Sequence, residues 1–188
     1  MKTNGKTNGN HFLWKNREDD LKKVKRYHTM LVMFYRTDLL IHTRRVKFML
    51  ESFLPVVMEL YPDFDAEKAR RIAIYHDDYE LQPIGDIPLQ LKLKMNGHQM
   101  SELEEREIAA AEAMAHDYPK KVGGYKYLQL LLHAVRKDCR EAQLVSLADK
   151  YDGYCEALHE VLAGNLVFLE AVVNTIQRHL TTCLENTH

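Results

Sequence analysis

Apolar side chains recur three and four residues apart along most of the chain from about residue 17, which is the spacing of one face of an α-helix. The clearest stripe comprises Val46, Met49, Leu50, Phe53 and Val57. No segment of useful length alternates apolar and polar residues, as a half-buried β-strand would. The pattern therefore predicts an all-α protein, folded as an orthogonal helical bundle.

Caps and helix breakers divide this pattern in the first half of the chain. Pro55 lies within the helix that carries the stripe, and the turn residues 62–65 end that helix. Asp65 is the expected N-cap of the following helix, which runs toward His76. If that helix persists, Glu80 lies one further turn along and borders the same cavity as His76.

The second half of the chain shows the same helical period. A Ser-x-x-Glu capping box, made by Ser101 and Glu104, predicts the start of a helix. Gly164-Asn165 is a stop signal near the end of the chain. The predicted segments are a helix over 101–118, an apolar block over 127–134, a long helix over 141–162 and a final amphipathic helix over 166–184.

Composition limits the domain organisation. With 188 residues, 46% of them hydrophobic, the chain can bury one sizeable core, and nothing in it demands a second domain. The first ten residues repeat Lys-Thr-Asn-Gly, a polar composition typical of a flexible tail. We therefore predict an N-terminal tail over residues 1–16 and a single helical domain over residues 17–188.

Charge and cysteine content exclude several classes of protein. The 26 basic and 27 acidic residues give a net charge of −1, so no cationic field attracts long nucleic acids. No apolar run approaches the roughly 20 residues that span a bilayer, and we expect no membrane association. The three cysteines lack a Cys-x-x-Cys pair, which favours a reducing, cytoplasmic setting over a disulfide framework or a thiolate zinc site. The oligomeric state stays open, a homodimer included.

Four ionisable residues lie where apolar stripes meet or end. His42 precedes Val46 by one turn and should point inward, and His76-Asp77 follows a helical stripe. Asp149 lies on the apolar side of the long helix. Two imidazoles and two carboxylates suit zinc, manganese, cobalt, nickel or iron better than calcium. The alternative is ordinary structure, with satisfied core histidines, a local cap and a salt bridge.

A longer set of motifs extends these four positions. It comprises Ala73-Ile74-Tyr75-His76-Asp77, Glu80, Gly85-Asp86-Ile87-Pro88, Lys92, Ala148-Asp149 and Leu162-Ala163-Gly164-Asn165. In these residues the chain resembles the HD superfamily of metal-dependent phosphohydrolases, whose His…His-Asp…Asp signature is carried by His42, His76-Asp77 and Asp149. The resemblance is closest to the bacterial 5′-deoxynucleotidase-like branch.

This resemblance implies an HD-domain bundle in which the four signature residues hold one divalent cation. It also implies that Glu80 assists proton transfer and that Asp86 faces the substrate sugar. The expected reaction is hydrolysis of a small phosphomonoester by attack of a metal-bound water, with a nucleoside 5′-monophosphate as the leading substrate. Arg36 and Lys92 are the candidate basic partners of the phosphate.

One departure bears on the substrate. Where the resembled deoxynucleotidases grip the nucleotide with an Arg-Trp pair, this chain has Arg26-Tyr27-His28 and Arg36. Two alternatives remain, a metal-stabilised binding or scaffold domain without turnover and a phosphodiesterase of the same superfamily. Glu80 argues against the scaffold, which needs a cation but no proton shuttle.

The remaining histidines are expected to be structural. His116-Asp117 is a second His-Asp dipeptide, but it precedes a proline at a helix end and is interpreted as a coincidence on the surface. His133 and His159 lie within helices without carboxylate neighbours suited to a site.

Overall fold

The structure, a computed structural model, describes residues 14–28, 30–34, 37–87, 89–92 and 94–174. The α-helices of these residues are α1 (Arg17–Leu21), α2 (Leu39–Leu60), α3 (Ala66–Tyr75), α4 (Leu89–Lys92), α5 (Gly97–Asp117), α6 (Tyr127–Arg136) and α7 (Arg140–Leu162). Short 3-10 helices span Trp14–Asn16, Asp78–Leu81 and Leu166–Phe168, and a two-residue hairpin pairs β1 (Lys121–Val122) with β2 (Tyr125–Lys126). The predicted all-α fold is confirmed.

The core forms where α2, α3 and α7 pack against one another, with α5 and α6 closing its other side. On the predicted stripe of α2, Val46 and Leu50 are fully buried and Met49, Phe53 and Val57 pack at the edge of the core. Because three long helices share this core, a polar residue on the inner face of one helix lies close to the inner faces of the other two.

Two predicted helix boundaries can be compared directly with the structure. Asp65 caps α3 as predicted, and its side chain accepts a hydrogen bond from the Lys68 amide at 2.9 Å. The capping box predicted at Ser101 is wrong, because α5 begins at Gly97. Its cap is Asn96, whose side chain accepts from the Gln99 amide at 2.9 Å while Gln99 returns a bond. An Asn-x-x-Gln box satisfies the same orphan amides earlier in the chain.

The condition that α3 persists as far as Glu80 is not met. The helix ends at Tyr75, and a separate 3-10 helix starts at Asp78. The guanidinium of Arg17 donates to the Ile74 carbonyl at 2.5 Å, the acceptor that the Asp78 amide would use in a continuing helix. Arg17 also binds both oxygens of the buried Asp78 carboxylate, at 2.8 and 2.6 Å. This long-range pair turns the chain immediately before the candidate site.

The ends of the described chain bear on the remaining predictions. Trp14, in the last part of the predicted tail, packs edge-on against Tyr118 and Tyr127 with ring centroids 5.2 and 6.1 Å apart. Residues 1–13 lie outside the described residues, and the single-domain boundary stays a prediction. Of the predicted final helix, residues 169–174 are helical and the part beyond them lies outside the description. Among the described helices, none has the length and apolar character to cross a membrane.

Candidate active site

The four signature residues come from the three helices that share the core. His42 lies in the first turn of α2, whose N-cap Asp38 accepts a hydrogen bond from the Ile41 amide at 3.0 Å. His76 and Asp77 follow the end of α3, and Asp149 lies near the middle of α7. Packing of α2, α3 and α7 therefore positions all four side chains at one place.

Their donor atoms lie close together. His42 Nε2 is 3.2 Å from Asp77 Oδ2 and 3.2 Å from Asp149 Oδ1, and His76 Nε2 is 3.2 Å from Asp77 Oδ2. The two imidazole rings have centroids 5.3 Å apart. Both histidines are buried, while Asp149 is partly exposed and marks the side of the cluster that is open to solvent. The structure thus brings together all four of the residues predicted as ligands.

The other ring nitrogen of each histidine is already committed. His76 Nδ1 donates to the Ala73 carbonyl at 3.0 Å, and His42 Nδ1 donates to Asp152 Oδ2 at 2.7 Å. Both Nε2 atoms therefore face the carboxylates. His76 Nε2 is buried, lacks the geometry of a hydrogen bond to Asp77, and has no hydrogen-bond partner among the described residues.

A divalent cation fits this donor set. Nitrogen and carboxylate ligands lie roughly 2.0–2.2 Å from zinc and similar ions, which sets neighbouring ligand atoms roughly 3.0–3.5 Å apart. The three 3.2 Å separations lie within that range. A shared ion would also satisfy the buried His76 Nε2, which otherwise carries a desolvation cost.

Electrostatics favour a cation at the same point. Burial acts to raise the pKa of Asp77, but His76 and His42 hold that pKa below its usual value. Burial also opposes ionisation of Asp149, yet its hydrogen bond to His42 and nearby positive charge lower its pKa. Burial and Arg26 act to lower the pKa of His42, and the bonds to Asp149 and Asp152 outweigh them and raise it. The site therefore holds ionised carboxylates that attract positive charge, which is the His42 proton in the free protein and would be a metal ion once that proton is released.

Glu80 reaches this region from the 3-10 helix Asp78–Leu81. Its side chain is buried, and Oε2 has no hydrogen-bond partner among the described residues. Burial first, and then repulsion from Asp77 and Asp86, raise the pKa of Glu80 well above the usual value of a glutamate. Such a carboxyl holds its proton to a higher pH than a solvated glutamate does, as a proton carrier requires.

Of the three residues predicted to bind substrate, two lie among the residues that the structure describes. Asp86 is half-buried in the loop after Gly85, whose φ of +61° suits glycine, and burial together with the charge of Asp77 raises the pKa of Asp86 against the lowering effect of Arg26. Lys92 Nζ is paired with Glu107 Oε1 at 3.1 Å, although its charge still acts on Glu80. Arg36 lies outside the described residues.

Two residues at the site were missed by sequence reasoning. The side chain of Arg26 is partly buried, and its charge acts on Asp149 and Asp86. Its signal was the dipeptide Arg26-Tyr27, an arginine and aromatic pair before the first candidate ligand His42. Asp152 binds the candidate ligand His42, and its signal was the position three residues after Asp149 on the same side of a helix.

The other histidines differ from these. His116 is 83% exposed and bonds only its neighbour Asp117 among the interactions described for it. His159 stacks on Phe34 with ring centroids 5.1 Å apart. The prediction that His133 has no suitable carboxylate is wrong, because Nδ1 lies 2.5 Å from Asp138 Oδ1, with Cys139 close by. The left-handed turn at Lys137, with φ of 54°, folds the chain back after α6.

Comparison with known proteins places this site in a family. The family model described as 5′-deoxynucleotidase YfbR-like matches residues 16–186, which is most of the chain. The chain belongs to the YfbR-like family. This confirms the resemblance drawn from the sequence, and as a YfbR-like protein the chain is a metal-dependent phosphohydrolase whose family implies a divalent metal ion. No curated protein matches the sequence.

Solved structures support the fold of the YfbR-like chain. A conserved hypothetical protein from Pyrococcus furiosus is 26% identical, with a TM-score of 0.65, over 90% of this chain and 94% of its own. An HD-domain phosphohydrolase from Listeria innocua is 19% identical, with a TM-score of 0.71, over 87% of this chain and 76% of its own. The PH0347 protein from Pyrococcus horikoshii is 22% identical, with a TM-score of 0.64, over 88% and 94%. The HD-type helical bundle is thus shared across these chains.

Proposed function

We propose that this YfbR-like phosphohydrolase cleaves nucleoside 5′-monophosphates to nucleoside and phosphate, using one divalent ion held by His42, His76, Asp77 and Asp149. The observation that carries the proposal is the convergence of two histidine Nε2 atoms and two carboxylates at 3.2 Å spacings beside a buried glutamate. Membership in the YfbR-like family supports the reaction class, and the 5′-deoxynucleotidase activity for which that family is named supports a nucleotide as substrate.

The mixed nitrogen and oxygen donor set suits manganese, cobalt, zinc, nickel or iron. A bound divalent ion supplies Lewis-acid neutralisation of phosphoryl charge and makes water nucleophilic at neutral pH. Asp149 is the most exposed of the four ligands, which leaves the solvent side of the centre accessible to a phosphate group. A structural zinc site would instead be closed on all sides by protein ligands.

Glu80 is the proposed proton carrier. During hydrolysis the oxygen of water bonds to phosphorus, the bond from phosphorus to the ester oxygen breaks, and that oxygen must gain a proton. The unpartnered Glu80 Oε2 accepts the proton from water and returns it to the leaving alcohol. The raised pKa of Glu80, caused by burial and by Asp77 and Asp86, brings the carboxyl closer to neutral pH for both transfers.

Substrate binding is proposed to use Arg26 for the phosphate, with Arg36 and Lys92 as further basic partners. Arg26 is 13% exposed in its side chain, and its charge acts on Asp149 and Asp86, so an anion beside the ligand cluster would meet it. Asp86 is proposed to accept a hydrogen bond from a sugar hydroxyl. Its half-buried position makes that carboxylate sensitive to whether a partner hydroxyl is present.

Selection among bases is expected to be weak. The chain lacks the Arg-Trp pair of the resembled enzymes, and the ring of Tyr27, next to Arg26, packs edge-on against Phe168 with centroids 5.3 Å apart. Its hydroxyl donates to the Gly153 carbonyl at 3.4 Å. An aromatic ring already fixed between a neighbouring ring and a helix offers little surface for stacking on a nucleobase. We therefore expect several nucleoside 5′-monophosphates to be hydrolysed.

A phosphate-release screen tests the proposal. The protein, reconstituted separately with manganese, cobalt, zinc, nickel and iron, is incubated with nucleoside monophosphates, sugar phosphates, an aryl phosphate and a phosphodiester. We expect release from several nucleoside 5′-monophosphates. Release from the diester alone would favour the phosphodiesterase alternative. Metal binding without turnover of any ester would favour the scaffold alternative.

A further inference from the structure

Asp152 is a fully buried carboxylate that contacts the candidate metal ligand His42. Both its side chain and that of His42 are 1% exposed, and Oδ2 lies 2.7 Å from His42 Nδ1. We propose that Asp152 is the positioning residue of this centre: it fixes the His42 tautomer and thereby directs Nε2 at the ion. This inference rests on the metal centre of the proposed function, although its test requires no substrate.

The bond to Asp152 decides which nitrogen of His42 is free. A neutral imidazole carries one proton, and the nitrogen that donates it to a carboxylate cannot also ligate a metal. With Nδ1 donating to Asp152, Nε2 is the nitrogen that faces Asp77 and Asp149, each 3.2 Å away, and the one whose lone pair is left for an ion when the ring is neutral. A carboxylate partner also makes the imidazole a more basic ligand.

Asp152 is itself held in place by Arg45, which lies one turn after His42 on α2. Arg45 Nε is 2.7 Å from Asp152 Oδ1, and Nη2 donates to Oδ2 at 3.0 Å. Two residues from adjacent turns of α2 thus hold one carboxylate of α7. The guanidinium also balances a buried charge that would otherwise be unfavourable.

His76 provides an internal contrast. Its Nδ1 donates to the Ala73 carbonyl, so its orientation is set by backbone and not by a side chain. A backbone carbonyl accepts but never donates, and no substitution at that position alters the tautomer of His76. The orientation of His42 depends instead on one replaceable carboxylate.

The substitution Asp152→Asn tests this dependence with little change in volume. Arg45 donates only, so it should take the amide oxygen and leave the amide NH₂ facing His42 Nδ1. That arrangement favours the other tautomer, with a proton on Nε2 where the ion should bind. We expect metal affinity to fall roughly 10- to 100-fold, the usual effect of losing such a partner.

Glu156→Gln is the matched control. Glu156 lies one turn after Asp152 on α7, bonds Thr37, and lies 2.5 Å from Arg45 Nη2, but it makes no contact with His42 among the described interactions. The dissociation constant for zinc is measured for the parent and both variants by competition with a chromogenic chelator. We expect a loss in Asp152→Asn only. Parent affinity in Asp152→Asn, or equal losses in both variants, would overturn the proposal.

A spectroscopic measurement on the parent protein covers the case in which Asp152→Asn does not fold. In the zinc-loaded protein, nitrogen-15 NMR should show His42 bound through Nε2 with a proton retained on Nδ1. Ligation through Nδ1 would contradict the proposed role. Because both measurements lack substrate, failure of nucleotide hydrolysis would leave this inference intact and remove only the proposed function.

Discussion

Among the residues that the structure describes, two groups of side chains have the residue types of a metal site, and they differ in what their donor atoms already bind. At the candidate active site, each histidine commits Nδ1 to the protein and leaves Nε2 facing carboxylates. In the second group, Nδ1 of His133 in the last turn of α6 is bonded to Asp138, in the turn before α7, at 2.5 Å. Cys139 in that turn lies beside the ammonium of Lys68.

The charge around the two groups differs as well. Burial raises the pKa of the Cys139 thiol, and Glu141 raises it further, so the thiolate that a metal requires is disfavoured there. At the active site the pKa values of Asp77 and Asp149 are lowered. Proximity of ligand types therefore does not by itself indicate a metal site. The pKa of Asp138 is lowered too, by its bond to His133, so both groups contain an ionised carboxylate. The disfavoured thiolate of Cys139 and the pairing of His133 with Asp138 are what distinguish the second group.

The largest expected effect is loss of the active-site ion. Asp77→Ala removes the carboxylate that lies 3.2 Å from both histidine Nε2 atoms, so metal and activity should both be abolished. Elemental analysis should show about one metal per parent chain, as a single four-ligand site requires. Asp117→Ala, in the other His-Asp dipeptide, is the control and should keep its metal. Full metal retention in Asp77→Ala would contradict the assignment.

A smaller effect is expected where a residue acts in chemistry without ligating. Glu80→Ala should keep the ion and lower turnover roughly 100-fold or more, the range for a general acid or base. Glu104→Ala, on the exposed face of α5, is a control that should match the parent. Steady-state turnover at saturating substrate is the measurement. An unchanged rate in Glu80→Ala would leave this buried glutamate with a structural role.

Asp86→Ala should lower the rate of hydrolysis much more for some substrates than for others. The lost carboxylate matters only where a sugar hydroxyl is present, so kcat/KM should fall roughly 10-fold or more for nucleoside monophosphates and much less for an aryl phosphate. Kinetics of both substrates for parent and variant measure this difference. Equal losses on the two substrates would remove Asp86 from the sugar site.

The smallest effect is expected for the second group, which comprises His133, Asp138 and Cys139. His133→Ala should leave the metal content and the turnover unchanged, because the donors of this group are paired within the protein. Elemental analysis of parent and variant after incubation with excess zinc and removal of free metal makes the test. A parent that holds two ions, with a variant that holds one, would break the contrast between the two groups.

Much of the site was predictable because local pattern encodes it. The stripe on α2 fixed His42 on an inner face, and Asp65 capped α3 through a bond that spans three residues. The His…His-Asp…Asp signature led to the family that the comparison then confirmed. Each of these inferences uses either short-range spacing or the order of a motif along the chain. Neither the spacing nor the motif order depends on which helices pack against one another.

Other features depended on contacts between distant residues. The break after His76 follows from Arg17, which takes the carbonyl of Ile74 from 57 residues away. Asp152 lies 110 residues from its partner His42. Whether an aspartate on a helix is solvated or bound to a buried imidazole depends on which helix packs against it.

The sequence by itself therefore determined the helical class, the family and the identity of the candidate ligands, because periodicity and motif order are local properties of a chain. Only the tertiary structure decided which nitrogen of His42 is free, that Lys92 is paired with Glu107, and that Arg26 acts on the site. These outcomes arise from burial and charge pairing between separate elements. Such interactions exist only once the helices have packed together.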